Sequence, residues 1–493
     1  MGVGIASSTQ AAPPAPTHRK GAPNVLLIVT DDARWDTLWA MPRVKRLLVE
    51  HGVTFSHMFV SNSLCCPSRT SILTGDYSHT TGVYRQEPPF GAFQWFNDRS
   101  TLATWLHDRG YVTGLFGKYV DAYQSAAHHG YVPPGWDRWM AFIRSKYYNY
   151  GLTIDGVTHH YGSQPSDYAT NVLGDAAVSY LQQVRSPFFV EYAPPAPHYP
   201  AIPEAKYADR FADLAPWRPP NYDEADMRDK PAYMRALPLL DANARAAIDT
   251  FRLDQLRTLR SVDVQVAHMI ATLAHTHRLH NTLIIFTSDN GIAWGEHRWD
   301  RKEVPYDESL RVPLVIRADS MHLTPHTDDH LVANIDLAPT VADAVGFPTQ
   351  ADGRSLVPLL RGTDATPWRR EILLEHVQGT NDVPTFCGFR STDYLYVRYA
   401  TGEREIYDLR TDPYELNNLE GTALGRAVEP ELAARLAQLC SPVPPGMEPT
   451  LNGVGAVFVA FALGIGWWGR RAFTRSGRPR RISRRARPTP SAL

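Results

Sequence analysis

Two runs in the chain, NVLLIVT at 24–30 and TLIIFTS at 282–288, are apolar without alternation and rich in β-branched residues. A strand with one face in water alternates, whereas a strand buried on both faces reads as a continuous apolar run. Ahead of the second run, residues 242–279 place Leu253, Leu256, Leu259, Val262, Val266, Met269, Ile270 and Leu273 at helical spacing. YVTGLFG at 111–117 and SPFFVEYAP at 186–194 supply further strand material. Helix followed by buried strand, repeated, predicts a doubly wound α/β layer with a largely parallel sheet.

A chain of 493 residues exceeds one minimal domain. The texture predicts a large α/β domain over 22–367 with a proline-rich surface excursion at 201–240. REILLEHV, CGFRSTDYLYVRYA and REIYDL then turn back and forth like antiparallel strands, and EPELAARLAQLC at 429–440 reads as a closing helix. A small α+β domain is therefore expected over 368–445. Residues 1–21 form an Ala/Pro-rich leader without the features of a signal peptide.

The formal charge of −1 conceals an asymmetry, because residues 470–493 hold nine arginines and no acid. Removing those nine leaves −10 on the body, which gives no footprint for nucleic acid. The charge-free run LNGVGAVFVAFALGIGWWG at 451–469 precedes the arginines, and as a helix it would span roughly 28 Å. It is expected to cross a membrane, with Trp467 and Trp468 at the interface and the arginines inside. That orientation puts the body outside the cytoplasm; without a visible signal peptide, a cytoplasmic body is the alternative. The cysteines at 65, 66, 387 and 440 match no zinc spacing. Cys387 and Cys440 either pair or sit as buried thiols.

Both apolar runs end in acids: Asp31 and Asp32 after the first, Asp289 and Asn290 after the second. In open parallel sheets ligands bind beyond the carboxyl ends of strands, so neighbouring strands would gather these oxygens at one edge. An oxygen-only set suits a hard dication, Ca²⁺ or Mg²⁺. One such pair alone would be an ordinary cap or turn; two pairs closing two buried strands favour metal. A soft cysteine thiolate is a poor companion for that ion, and CCPSR taken alone reads as a helix start with Pro67 in its first turn.

Cys65-Cys66-Pro67-Ser68-Arg69, followed by Leu73-Thr74-Gly75, resembles the sulfatase signature C-x-P-S-R-x-x-x-L-T-G. The resemblance extends from about residue 22 to 420, and is strongest to the N-acetylglucosamine-6-sulfatase branch. It implies that Cys65 is oxidised by a formylglycine-generating enzyme to 3-oxoalanine, whose hydrate replaces sulfur with oxygen. It also implies that Asp31, Asp32, Asp289, Asn290 and residue 65 hold the metal. Arg69, Lys118 in GKY, His198 in APHYP and Lys302 would be catalytic, with Lys118, His198 and Lys302 also binding substrate. Asp289 would serve as base. Each of these is bland alone: a lysine after a strand is ordinarily solvated, and Lys302 stands among Arg298, Arg301 and Glu303. Order and spacing relative to the signature favour function. One departure is Val120, where many members have histidine; that contact is either missing or supplied from elsewhere, with His128 or His129 as candidates.

The expected activity is sulfuric ester hydrolysis of a sulfated carbohydrate, a glycosaminoglycan sugar above all. Its rivals are a phosphonate or phosphate monoester hydrolase on the same fold, and an inactive membrane-anchored sugar-binding protein.

Overall fold

The two apolar runs become neighbours in the middle of one sheet. The computed structural model of the chain describes residues 21–363, 367–380 and 382–447. In chain order the strands of the large sheet are β1 (Asn24–Thr30), β2 (Val53–Phe59), β3 (Val112–Gly117), β4 (Arg138–Phe142) and β5 (Tyr150–Ile154). They continue with β6 (Val157–Tyr161), β7 (Phe188–Ala193), β8 (Thr282–Ser288), β9 (Leu314–Ala318) and β10 (His326–Ala333). Their spatial order is β10-β2-β9-β8-β1-β7-β3-β4-β5-β6. β1 runs parallel to both β8 and β7, and β3 is parallel to β7 and β4. β9 enters antiparallel between β8 and β2, so the sheet is mixed rather than purely parallel.

The lack of alternation in β1 has a direct cause. Val25, Leu27 and Val29 enter one core cluster with Leu283 and Ile285, while Leu26 and Ile28 enter another with Ile284 and Phe286. Both faces are covered, so the middle of each strand is apolar on both sides, and the polar residues Asn24, Thr30, Thr282, Thr287 and Ser288 stand at or next to the strand ends. The helix Ala242–His275 lays Leu259, Val262, Val266, Met269, Ile270 and Leu273 on the second face. Its start is fixed by Asp241, whose side chain accepts the Ala244 N–H at 2.8 Å.

A second, antiparallel sheet runs β11 (Glu371–His376), β12 (Phe386–Ser391), β13 (Tyr394–Tyr399) and β14 (Arg404–Asp408) in that spatial order. One face packs with the helix Ala423–Leu439 through Leu373, Phe389, Tyr396, Ile406 and Leu436. The other adds Ile372, Leu374, Leu395 and Val397 to the core under the large sheet. The closing helix begins at Ala423 rather than at 429, because Thr422 accepts the Gly425 N–H at 3.0 Å and Pro430 sits inside the helix rather than at its start. Cys387 and Cys440 are disulfide-bonded, joining β12 to the end of that helix.

Residues 201–240 run largely over the surface, as expected, but not throughout. They hold little regular structure, yet Asn221 and Lys230 are completely buried. The leader, the expected membrane segment 451–469 and the basic tail lie outside the described residues. Among the described residues no helix is long and apolar enough to cross a membrane.

Candidate active site

Register alone brings the acids together. Thr30 of β1 pairs with Ser288 of β8, so Asp31 and Asp289 leave the sheet side by side. Asp32 takes left-handed backbone at φ 70°, a conformation sparsely used by non-glycine residues. Its N–H donates to Asp289 Oδ1 at 3.1 Å, and the Asn290 amide nitrogen donates to Asp32 Oδ1 at 2.6 Å. Asp31, Asp32, Asp289 and Asn290 are all buried.

Cys65 opens the helix Cys65–Thr74, every residue of which is buried. The helix start therefore delivers its partial positive charge into the acid cluster. Cys65 Sγ lies 3.5 Å from Asp31 Oδ1 and 2.8 Å from Lys302 Nζ. One turn on, Arg69 donates through Nε to Asp289 Oδ2 at 2.8 Å and through Nη1 to the Lys118 carbonyl at 3.1 Å. Its Nη2 has no hydrogen-bond partner among the described residues.

β3 supplies the first lysine. Gly117 sits at φ 136°, and a Cβ there would fall 1.8 Å from the Ala193 carbonyl oxygen, so only glycine lets the chain turn. Lys118 then anchors its N–H on that same oxygen at 2.8 Å and sends Nζ to Asp31, 2.9 Å from Oδ2 and 3.1 Å from Oδ1. Lys302 reaches Asp32 Oδ1 at 2.6 Å. His198 follows β7 in the loop 194–200; its Nδ1 donates to the Tyr199 carbonyl, which turns Nε2 to within 3.7 Å of Asp32 Oδ2.

The charges are balanced by design of the neighbourhood. Burial would raise the Asp31 pKa, but Lys118, His198 and Arg69 outweigh it and hold the carboxyl below its ordinary value. Burial acts likewise on Asp32 and is outweighed by Lys302 and His198. Burial would also discharge Lys302, yet Asp32, Cys65 and Asp31 keep it a cation with its pKa pushed well up. The Cys65 thiol goes the other way: burial pushes it well above the usual range despite Lys118 and Lys302. An unmodified thiol here is a poor nucleophile and a poor ligand, since both roles need thiolate.

The donor set fits a hard dication with one exception. Ligating atoms of Asp31, Asp32, Cys65 and His198 all lie within 4.8 Å of one another. Asn290 Oδ1 is buried without a hydrogen-bond partner among the described residues, and half a rotation of the amide would present it beside Asp32. Asp289 adjoins this group, but its oxygens accept from Arg69 Nε and from the N–H groups of Asp32 and Asn290. Sulfur at residue 65 is the misfit, and an oxygen there would remove it.

Every expected site residue converges on this edge. The proposed substitutes for the missing histidine do not: His128 and His129 are exposed and take no part in the cluster's hydrogen bonds or ion pairs. Val120 is buried in the hydrophobic core. The sequence reading missed an apolar wall beside the cluster, because its residues in Ala242–His275 share the helical period of the core. It also missed a second buried convergence, His297, Glu308 and Glu415.

The sulfatase family model matches residues 23–347, and the model for the C-terminal part of N-sulphoglucosamine sulphohydrolase matches 295–441. The N-acetylglucosamine-6-sulfatase of Capra hircus is 32% identical over 84% of this chain and 82% of its own length. The extracellular sulfatase SULF-1 homolog of Drosophila melanogaster is 34% identical over 69% of this chain, which spans only 32% of that longer protein. Among solved structures, a protein in complex with its substrate D-glucosamine-2-N,6-O-disulfate superposes with a TM-score of 0.75 over 85% of this chain and 98% of its own, at 24% identity. The phosphonate monoester hydrolase of Agrobacterium radiobacter gives 0.68 over 85% of this chain and 95% of its own, at 22% identity, and so shares the fold. With a family model matched over most of its length and a relative above 30% identity across most of both chains, this chain belongs to the sulfatase family.

Proposed function

We propose that this sulfatase hydrolyses sulfate monoesters of sugars, N-acetylglucosamine 6-sulfate among them, through a formylglycine at position 65 and a divalent cation, Ca²⁺ or Mg²⁺. The observation that carries the reading is the placement of Cys65 Sγ at a buried helix start, 3.5 Å from Asp31 and 2.8 Å from Lys302. The oxidised residue would supply a hydrated aldehyde as nucleophile, and the cation, held by Asp31, Asp32, Asp289, Asn290 and residue 65, would polarise it and a sulfate oxygen.

The remaining residues have distinct tasks. Arg69, fixed by Asp289 and by the Lys118 carbonyl, aims its remaining Nη2 donor at anionic oxygen. Lys118 and Lys302 neutralise sulfate oxygens where water is excluded. Lys302 and His198 both stand beside Asp32 as candidates to protonate the departing alcohol. His198, with its side chain 36% exposed at the mouth of the site, is the better acid for the departing alcohol. Asp289 is the base that takes a proton from the hydrate, so that the aldehyde re-forms and sulfate leaves. The same reading includes a formylglycine-generating enzyme as partner. It also has 451–469 as a membrane anchor with the body outside the cytoplasm, supported by the charge-free run before nine arginines.

The test joins mass analysis with kinetics. The peptide spanning residue 65 should be lighter by the difference between sulfur and oxygen plus two hydrogens, and Cys65→Ser should lower turnover of an aryl sulfate below detection. A serine variant as active as the parent would end the diol mechanism. Rates on aryl sulfate and aryl phosphonate measured side by side should favour sulfate; a dominant phosphonate activity would transfer the assignment to the phosphonate hydrolases.

A further inference from the structure

The cavity of about 480 Å³ over Asp32, His198 and Lys302, walled by Ala247, Ile248 and Phe251 of the helix Ala242–His275, belongs to the site already described. A second buried meeting point lies outside it. One ligating atom each of His297, Glu308 and Glu415 falls within 4.8 Å of the others. Among the described residues, none of the three shares a hydrogen bond or an ion pair with Asp31, Asp32, Cys65 or Lys302.

Charge does not balance at this point. Glu296 has Arg34 at 2.7 Å, Asp307 has Arg390 at 2.9 Å and Glu224 has Lys230 at 3.4 Å. Glu308 and Glu415, only 7% and 1% exposed, have no lysine or arginine at ion-pair distance among the described residues. Their oxygens are unmatched as well: Glu308 Oε2, Glu415 Oε1 and Asn221 Oδ1 are buried without a hydrogen-bond partner among the described residues. Buried acids without countercharge, and acceptors without donors, are what a cation between them would satisfy.

The histidine is oriented for that role. Its Nδ1 lies 2.6 Å from Glu224 Oε2 and donates to it, while Nε2 faces the Asn221 amide nitrogen at 3.2 Å and so presents a lone pair. An imidazole fixed through one nitrogen by a carboxylate is the arrangement that metal-bound histidines adopt. The same amide nitrogen donates to Glu308 Oε1 at 3.0 Å. Half a rotation of the amide would replace this donor by Oδ1, gathering Nε2, Oδ1 and the Glu308 carboxylate around one point. One imidazole nitrogen among oxygens suits Zn²⁺ better than Ca²⁺, whose ligands are oxygens alone. There is also a way in. A cavity of about 590 Å³ is lined by Glu224, the partner of His297, and by Leu416, the neighbour of Glu415, together with Asp229 and Asn417.

We propose that His297, Glu308, Glu415 and Asn221 form a second metal site, which takes a dication such as Zn²⁺ and fastens residues 201–240 to the segment between β8 and β9 and to the segment after β14. The ion balances two buried carboxylates and stands apart from the chemistry at residue 65.

The test uses the full chain, stripped with a chelator, saturated with Ca²⁺ and titrated calorimetrically with Zn²⁺. The parent should bind a single zinc that excess Ca²⁺ does not displace. Glu415→Gln should weaken that binding by about a hundredfold or more, and Glu224→Gln, which only releases the histidine, by about tenfold. Zinc should raise the Tm of the parent by about 4 °C and that of Glu415→Gln by less than about 1 °C. Unchanged zinc affinity in both variants would overturn the proposal and leave protons to neutralise Glu308 and Glu415. Should a variant not fold, anomalous diffraction at the zinc edge from the Zn²⁺-soaked parent decides. A peak between His297, Glu308 and Glu415 supports the site; zinc only at Asp31 and Asp32, or no zinc, overturns it. Neither result bears on the sulfatase reading, which kinetics at residue 65 test separately.

Discussion

Among the described residues two clusters of ligating side chains stand out, and their acids respond to burial in opposite ways. At the end of β1 and β8, Asp31 and Asp32 keep depressed pKa values because lysines, Arg69 and His198 outweigh burial. In the second cluster, burial lifts Glu308, with Glu296 adding repulsion, and lifts Glu415 further, with Asp307 and Glu308 adding theirs. Geometry alone does not separate the two, since His297, Glu308 and Glu415 also converge within 4.8 Å. Charge supply does. The first cluster is furnished with cations and opens on a cavity, as a site for anionic oxygen requires. The second ties three distant stretches together: Asn221 donates to Glu308 at 3.0 Å, Glu224 lies 2.6 Å from His297, and Lys230 donates to the Glu415 carbonyl at 2.8 Å. It is a joint between the excursion, the segment between β8 and β9, and the segment after β14.

The sharpest way to break this contrast is one isosteric change in each cluster. Asp32→Asn removes the carboxylate that meets both Lys302 and Asn290 at 2.6 Å. It should lower kcat/KM on an aryl sulfate by about a thousandfold or more. Glu308→Gln, which replaces a carboxyl already biased towards its neutral form, should leave kcat/KM within about twofold of the parent. Comparable losses from both would mean that the joint belongs to the catalytic machinery.

Next in size is the joint's own contribution. Lys230 is completely buried, donates to the Glu415 and Leu416 carbonyls and lies 3.4 Å from Glu224. Lys230→Met leaves those acceptors and a buried carboxylate without it, and should reduce unfolding free energy by about 3 kcal/mol in a denaturant titration. The kcat of the folded fraction should stay within about twofold; a large fall in kcat with unchanged stability would contradict a structural role.

The cluster at the ends of β1 and β8 could be read from sequence because its residues are punctuated by physics visible there. β1 and β8 lack alternation since both their faces are buried, and the acids follow where the strands end. The signature around Cys65 locates the partner element. The joint could not be read, because Asn221 and Lys230 lie in proline-rich chain without a period, and burial without periodicity leaves no trace. The cavity wall was hidden for the opposite reason: Ala247, Ile248 and Phe251 obey the helical period, which reports an apolar stripe but not whether it faces core or cavity. Pro430 misled the start of the last helix because proline favours a first turn, whereas Thr422 holds the cap.

The smallest expected effect tests the contrast inside the catalytic neighbourhood itself. Glu191 on β7 is only 4% exposed, and its Oε2 has no hydrogen-bond partner among the described residues. Burial lifts its pKa from 4.5 to about 7, with Arg69 pulling the other way. It thus behaves like the joint's acids although it lies near Arg69. A folded-state pKa above the unfolded one means that the folded chain binds the proton more tightly. The resulting stability is full below pH 4.5, declines as the unfolded chain ionises first, and is gone once pH passes about 7. The total decline should not exceed about 3 kcal/mol. Asp31 and Asp32, with depressed values, act with the opposite sign and lose stability only as pH falls through the acid range. Glu191→Gln should therefore flatten the fall in unfolding free energy between pH 5 and pH 8, measured in urea. Parallel profiles for parent and variant would show that Glu191 is charged throughout, paired with Arg69 as Asp31 and Asp32 are with their lysines.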